Sequence, residues 1–315
     1  MNQLQNNKIL AKKFYAERNI TKAMYFYLKA YGCEGGNRDK ELILDIALLY
    51  DEMGHLEEAK EKFKEIITID PLEERAYYGM AIVYDNRGQF SKAVEFYKKA
   101  IEINPNYNRA YFFMAGAYDA IGKQDEAIEA YKKVIELNEE DFWAHLNLGA
   151  IYEERNENQL ALEEIEKSLE IEPYDYLALF NKGVVLKKLN RIEEAKKAYF
   201  NSIDENDEYS YTYLNLAVIY KEENDLKMAI KVISKGILKR PEEGFLYYNR
   251  GCFYNNLGCI REAIEDLKKC VETYIPFVKY IRKDKELKNL MENEEFKAFI
   301  DSIDIHEEEE KWKRY

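Results

Sequence analysis

The sequence predicts an all-α solenoid of eight stacked helix pairs, on the strength of three observations. The first is a period. Ala59, Ala93, Ala127, Ala161, Ala195, Ala229 and Ala263 recur every 34 residues, with Ala23 lying 36 residues before the first. Two further series run in phase: Ala11, Ala47, Ala81, Ala115, Gly149, Gly183, Ala217 and Gly251, and Phe14, Tyr50, Tyr84, Tyr118, Tyr152, Leu186, Tyr220 and Tyr254. The second is the content of one period. Between Ala76 and Pro105, Tyr77, Met80, Ala81 and Tyr84 fall at i, i+3, i+4 and i+7, one face of a helix. Asn86-Arg87-Gly88 breaks it, Ala93, Tyr97 and Ala100 mark a second helix, and Pro105 stops that one. The third is composition: with 5 Pro, 14 Gly and little Val beside Leu, Ile, Glu, Lys and Ala, the chain favours helices over strands. A lone helix pair cannot bury its apolar face, so its neighbours must do so by stacking.

Taken in order, the units start near residues 4, 40, 74, 108, 142, 176, 210 and 244 and cover 4–277. Unit one is the weakest match. Its junction with the next, GCEGGNRDK, carries a two-residue insertion, and Gly35-Gly36 there reads as a flexible joint. Pro71, Pro105, Pro173 and Pro241 close units. The small residues mark where two helices come closest, and a large side chain there would overpack the contact by about 1–3 kcal/mol. After Pro276 the pattern stops, and 278–303 reads as a helical cap over the apolar face of the last repeat. Residues 304–315 read as a charged tail.

The period, the two-helix unit and the small, aromatic and proline positions closely resemble the tetratricopeptide repeat (TPR) family over nearly the whole chain. The resemblance implies a right-handed superhelix whose concave face is lined by the first helix of each unit. It also implies a protein or peptide as partner.

Net charge is −13, which argues against a nucleic-acid backbone or an anionic membrane as partner. MNQLQNNKIL lacks the apolar run of a signal peptide, and nowhere do roughly 18 apolar residues follow one another to span a bilayer. Cys33, Cys252, Cys259 and Cys270 show no CxxC spacing, and His55, His145 and His306 are scattered, so no metal site or other cofactor is expected. A reduced, cytoplasmic protein is the plain reading. With no glycine-rich phosphate loop, GxSxG or HExxH, no enzyme is expected either.

LNLGAIYEE (Leu146–Glu154) returns as LNLAVIYKE (Leu214–Glu222) and places an Asn among apolar residues. If the first residue of a unit is position one, the core positions of its first helix are four, seven, eight and eleven. The opposite stripe is two, five or six, nine, and twelve or thirteen. Position six holds Asn147, Asn181, Asn215 and Asn249 in four consecutive units. An Asn amide offers an acceptor and two donors, the complement of a peptide bond. The row resembles the asparagine ladder of the TPR superhelix in the O-linked N-acetylglucosamine transferase. Only that binding mode carries over, since the enzyme's catalytic domain has no counterpart here.

A ladder alone barely breaks even, because each hydrogen bond nets about 0.5–1.5 kcal/mol while ordering each peptide residue costs about 1–2 kcal/mol. The stripe supplies apolar company: Trp143, Tyr211 and Phe245 with Arg109 at position two, Phe180 and Tyr248 with Leu146 and Leu214 at position five, and Val184 and Val218 at position nine. Charge along it is polarised, with Asp51, Asp85, Asp119 and Glu153 giving way to Lys187 and Lys221, while Arg75 and Arg109 interrupt the acidic half. The sequence therefore points to a scaffold that grips an extended peptide or partner segment. The alternative is a structural protein whose apolar row mediates homo-oligomer formation.

Overall fold

The computed structural model describes residues 2–303, and among them all regular structure is helical. The helices alternate in pairs: α1 (Gln3–Ala16) and α2 (Ile20–Tyr31), α3 (Lys40–Glu52) and α4 (Leu56–Ile69), α5 (Glu74–Asp85) and α6 (Phe90–Ile103), α7 (Asn108–Ala120) and α8 (Gln124–Leu137). They continue with α9 (Phe142–Glu154) and α10 (Asn158–Ile171), α11 (Tyr176–Lys188) and α12 (Ile192–Glu205), α13 (Ser210–Glu222) and α14 (Leu226–Lys239), and α15 (Gly244–Asn256) and α16 (Ile260–Thr273). The last elements are α17 (Phe277–Lys283), a 3-10 segment (Lys285–Glu292) and α18 (Glu294–Asp301).

Local chemistry sets these limits. Asp39, Asp141 and Asp175 accept hydrogen bonds from the backbone N–H groups of Leu42, Ala144 and Ala178 at 3.1, 3.0 and 2.8 Å. Each such cap contributes about 0.5–2 kcal/mol. The turn inside every pair places one residue at positive φ: Gly54, Gly88, Gly122 and Gly258, Asn156, Asn190 and Asn224, and in the first pair Arg18 at φ 57°. Gly adopts this left-handed conformation freely and Asn tolerates it, whereas Arg18 bears the Cβ clash.

The chain divides into two compact units, Met1–Ile151 and Tyr152–Tyr315. In the first, Ala11, Ala23, Tyr27, Leu42, Ile46 and Leu49 pack α1, α2 and α3 together. Ile43, Ala47, Phe63, Ile66, Met80 and Val83 continue that packing through α4 and α5. In the second unit, Gly183 lets α11 approach α12 so closely that a Cβ there would stand 2.5 Å from Cε1 of Tyr199. The segment expected to cap the last pair places Val278, Ile281, Leu287, Leu290, Phe296 and Ile300 in one core with Ala263, Leu267 and Val271 of α16. Burying side chains of this size stabilises by about 1.5–3 kcal/mol each.

The Gly35-Gly36 junction, expected as a flexible joint, is built into a regular turn. Gly36 opens a 3-10 turn, Gly36–Arg38, that leads into the Asp39 cap. A Cβ on Gly36 would meet the Ala30 carbonyl oxygen at 2.2 Å, so the insertion is taken up in a close-packed corner. The tail at 304–315 lies outside the described residues.

Candidate functional site: the inner stripe of the first helices

In the second unit, α11, α13 and α15 bring a run of rings together. Tyr211 stacks on Phe245 with centroids 5.0 Å apart and planes at 15°. Tyr209 lies 5.7 Å from Tyr211 and meets Phe180 edge-on at 5.1 Å, and Tyr176 meets Tyr209 at 5.2 Å. Phe180 and Phe245 are half-buried, while Tyr211 keeps 50% of its surface open. Offset and edge-on aromatic pairs contribute about 0.5–1.5 kcal/mol beyond burial, so the run is held in place before any ligand arrives. Tyr248 belongs to different company. It stacks on Phe277 at 5.8 Å and donates its hydroxyl to Asp284 Oδ2 at 2.5 Å, which ties it to the C-terminal segment. Burial, followed by that bond to a carboxylate, pushes its pKa up.

The asparagines do not share one arrangement. Asn215 and Asn249 donate to carbonyls one turn back in their own helices, Tyr211 O at 2.9 Å and Phe245 O at 2.8 Å. Asn181 makes no side-chain hydrogen bond among the described residues. In the first unit, Asn147 donates to the Tyr131 hydroxyl of α8 at 3.2 Å, a structural bond to a neighbouring helix. Even so, each bonded amide keeps its carbonyl oxygen as an acceptor and one N–H.

The cationic part of the stripe is neutralised locally. Lys187 Nζ sits 2.8 Å from Glu222, Lys188 2.5 Å from Glu153 and Lys221 3.3 Å from Glu286.

In the first unit, Trp143 is 50% exposed and meets Phe142 edge-on at 5.0 Å, whereas Leu146 is buried at 2% and does not join the row. Arg109 is exposed beside a second ring cluster, in which Tyr78 meets Tyr107 at 5.1 Å and Phe113 at 6.2 Å. Arg75 is committed elsewhere: its guanidinium forks onto Glu41 at 2.6 and 3.2 Å and reaches Glu73 at 2.5 Å. Burial pushes up the pKa values of Asp51, Asp85 and Asp119 at the twelfth position, and Asp85 accepts a hydrogen bond from the Tyr97 hydroxyl at 2.9 Å.

Sequence reasoning missed Tyr209 and Tyr107, although their signal was present. They occupy the residue before a first helix, where Asn2, Asp39, Glu73, Asp141, Asp175 and Glu243 stand in the other six units. Neither tyrosine makes a side-chain cap bond. Glu73 and Glu243 make none either, so it is the ring in place of a short polar or acidic side chain that marks both positions as unusual.

Among the described residues, no helix is long and apolar enough to cross a membrane, and no group of three His, Cys, Asp or Glu side chains could hold a metal ion. All four cysteines are free thiols.

Models of the tetratricopeptide repeat match residues 41–71, 74–107, 144–175, 176–206, 210–241 and 246–274, and a TPR repeat model matches 115–154. No curated protein matches the chain. Among solved structures, a tetratricopeptide repeat protein from Parabacteroides merdae is similar at a TM-score of 0.62 and 20% identity, over 80% of this chain and 98% of its own. Cut9 in its APC/C hetero-tetramer with Hcn1 is similar at 0.57 and 18%, over 87% of this chain and 52% of its own. YrrB, described as a TPR protein with an unusual peptide-binding site, is similar at 0.50 and 21%, over 57% of this chain and 92% of its own. At these identities the likenesses speak to the fold alone.

Proposed function

The chain belongs to the tetratricopeptide repeat family, and we propose on that premise that it is a non-enzymatic scaffold that binds an extended peptide or partner segment along the inner stripe of its first helices. The observation that carries this reading is the Tyr211–Phe245 stack, held by Tyr209 and Phe180 yet with half of Tyr211 open. A pre-ordered aromatic surface offers contact area at low entropic cost, and Tyr and Trp anchors dominate binding energies. Asn181, Asn215 and Asn249 lie on the same helices and would bond the ligand backbone. The first unit carries candidate contacts of its own, Trp143 for an apolar side chain and Arg109 for a carboxylate. Arg75, Lys187 and Tyr248 are engaged with their own neighbours and would contribute shape more than charge. YrrB, of the same fold, bears a peptide-binding site, which agrees with this reading.

A screen of displayed random peptides, followed by hydrogen-exchange mapping of one selected peptide, tests it. The expected result is added protection on α11, α13 and α15. Protection confined to α12, α14 and α16, or no selectable peptide, overturns it. The alternative, homo-oligomer formation through the same rings, is favoured by the openness of Tyr211 and Trp143. Light scattering over a hundredfold dilution separates the two: a mass that falls on dilution, and in the Tyr211→Ser variant, supports self-association.

A further inference from the structure

An open hollow of about 380 Å³ lies on the α7–α8 pair of the first unit, lined by Tyr111, Met114 and Tyr118 of α7 and by Ala130 of α8. Tyr111 and Tyr118 are at positions four and eleven, the stripe of α7 opposite Arg109 and Phe113, so the hollow is independent of the inner stripe. The charged residues that line it, Asp125, Glu126 and Glu129, are all acidic.

The chain's own repeats show what fills this place. In the first pair Phe26 stacks on Phe14, with centroids 5.4 Å apart and planes at 8°, and Lys22, one turn before Phe26, stands 5.2 Å from the Phe14 centroid. In the third pair Phe96 stacks on Tyr84 at 5.3 Å and 16°, and Lys92 stands 5.5 Å from the Tyr84 centroid. In both, a cation and a ring at i and i+4 of the second helix cover one ring of the first. In the fourth pair the ring of the first helix is Tyr118, and the residues 34 beyond Lys92 and Phe96 are Glu126 and Ala130. The covering ring has become a methyl group and the covering cation a carboxylate. In the other units that keep a tyrosine there, the place of Phe96 holds Lys62, Glu164, Val232 and Asp266, all longer than Ala130, so the hollow opens in this pair.

The occupant that restores what the third pair has is a ring with a cation beside it. An apolar cavity of about 150 Å³ already holds a benzene ring, so the larger hollow admits a phenyl or an indole. Glu126 and Glu129 make exposed, weak pairs with Lys123 at 3.8 Å and Lys132 at 3.3 Å, which an incoming cation can replace. Lys98, 5.7 Å from the Tyr118 centroid, shows that this ring accepts a cation beside it.

We propose that the α7–α8 hollow is a second docking site, for a partner protein segment in which an aromatic side chain stands among lysines or arginines. Its ring would stand to Tyr118 as Phe96 does to Tyr84, with a flanking cation facing Glu126 and Glu129. The probe is the peptide acetyl-Lys-Lys-Trp-Lys-Lys-amide, titrated calorimetrically into the full-length protein beside a peptide with Ala for Trp and one with Glu for every Lys. The first should bind about tenfold more tightly than either control, and hydrogen exchange should show its added protection on α7 and α8. Ala130→Phe with Glu126→Lys, which copies Phe96 and Lys92, should weaken it about tenfold. Glu126→Gln with Glu129→Gln, exposed changes that spare the helix pair, should weaken it about fivefold and decides alone if the first variant does not fold. No measurable binding, equal binding of the tryptophan and alanine peptides, protection confined to α11, α13 and α15, or an affinity unmoved by the changes on α8 overturns the proposal.

Discussion

Gly79 offers the sharpest test of the packing. It sits in the middle of α5, where Gly→Ala ordinarily stabilises by about 1 kcal/mol through helix propensity. Here a Cβ would stand 2.2 Å from both Cε1 and Cζ of Phe63 and 2.7 Å from Cε2. Ordinary carbon contacts lie near ~3.5–4 Å, so the ring would have to retreat by more than ~1 Å. It has little room to do so, because Phe63 is 1% exposed and packed among Ile43, Ala47, Ile66, Met80 and Val83. Overpacking of this kind costs about 1–3 kcal/mol, and the ring's confinement places the cost at the upper end. After subtracting the propensity gain, Gly79→Ala should destabilise by about 1–2 kcal/mol. Urea titration followed by far-UV circular dichroism gives the sign. In a double-mutant cycle with Phe63→Leu, which opens space beneath the new methyl, the coupling should be about 1 kcal/mol or more in the relieving direction. A stabilised Gly79→Ala variant, or a cycle with no coupling, would refute the argument that ring contact with the position-six backbone holds these two helices together.

Two matched tyrosines should behave oppositely. Tyr199 is fully buried and its hydroxyl has no hydrogen-bond partner among the described residues, so Tyr199→Phe should be neutral or stabilise by up to about 1 kcal/mol. Tyr97→Phe strips the donor from the partly buried Asp85 and should cost about 1–3 kcal/mol; thermal melts of both variants decide. Burial raises the pKa of Asp119 above 3.8, so its charge weighs on the folded state near neutrality, and that burden lifts as pH falls through the folded pKa toward the unfolded one. Asp119→Asn should therefore stabilise at pH 7, by less than about 1 kcal/mol for so exposed a group, with the advantage gone by pH ~3.5; melts across that range that show no pH dependence would contradict it. Arg18→Asn, at the one turn that holds a long side chain at positive φ, should raise stability by about 0.5–1 kcal/mol in urea titration.

The repeat was legible because its physics is periodic. The expected unit starts at 40, 74, 108, 142, 176, 210 and 244 coincide with the first residues of α3, α5, α7, α9, α11, α13 and α15. Small residues read as close approaches do meet rings, as Gly183 meets Tyr199. The stripe was legible only as a direction. Periodicity puts Asn147 and Asn215 at the same angle, each with a tyrosine 16 residues before it, yet Asn147 bonds the Tyr131 hydroxyl whereas Asn215 bonds the Tyr211 carbonyl of its own helix and leaves the Tyr199 hydroxyl without a partner among the described residues. Leu146 was expected in the open row and is buried, because position five lies at the edge of the stripe, next to the buried face at positions four and eight. The ties of Arg75 to Glu41 and of Tyr248 to Asp284 span 34 and 36 residues, a pairing that position within one unit does not reveal. Nor did the Gly35-Gly36 pair announce a packed corner, since glycine serves flexibility and close approach equally well.

If the open rings of α11, α13 and α15 are a binding surface rather than packing left uncovered, truncating them should cost affinity and not the fold. The most direct measurement is the affinity of one screened peptide for the native protein and for a Tyr211→Ala/Phe245→Ala variant, with matched circular dichroism. Tyr211 is half open, so truncating the stack should leave the fold intact while weakening binding by about 100-fold, roughly 2.7 kcal/mol at two anchor positions. An unchanged affinity in a folded variant would contradict the account, because the stack would then have no part in recognition.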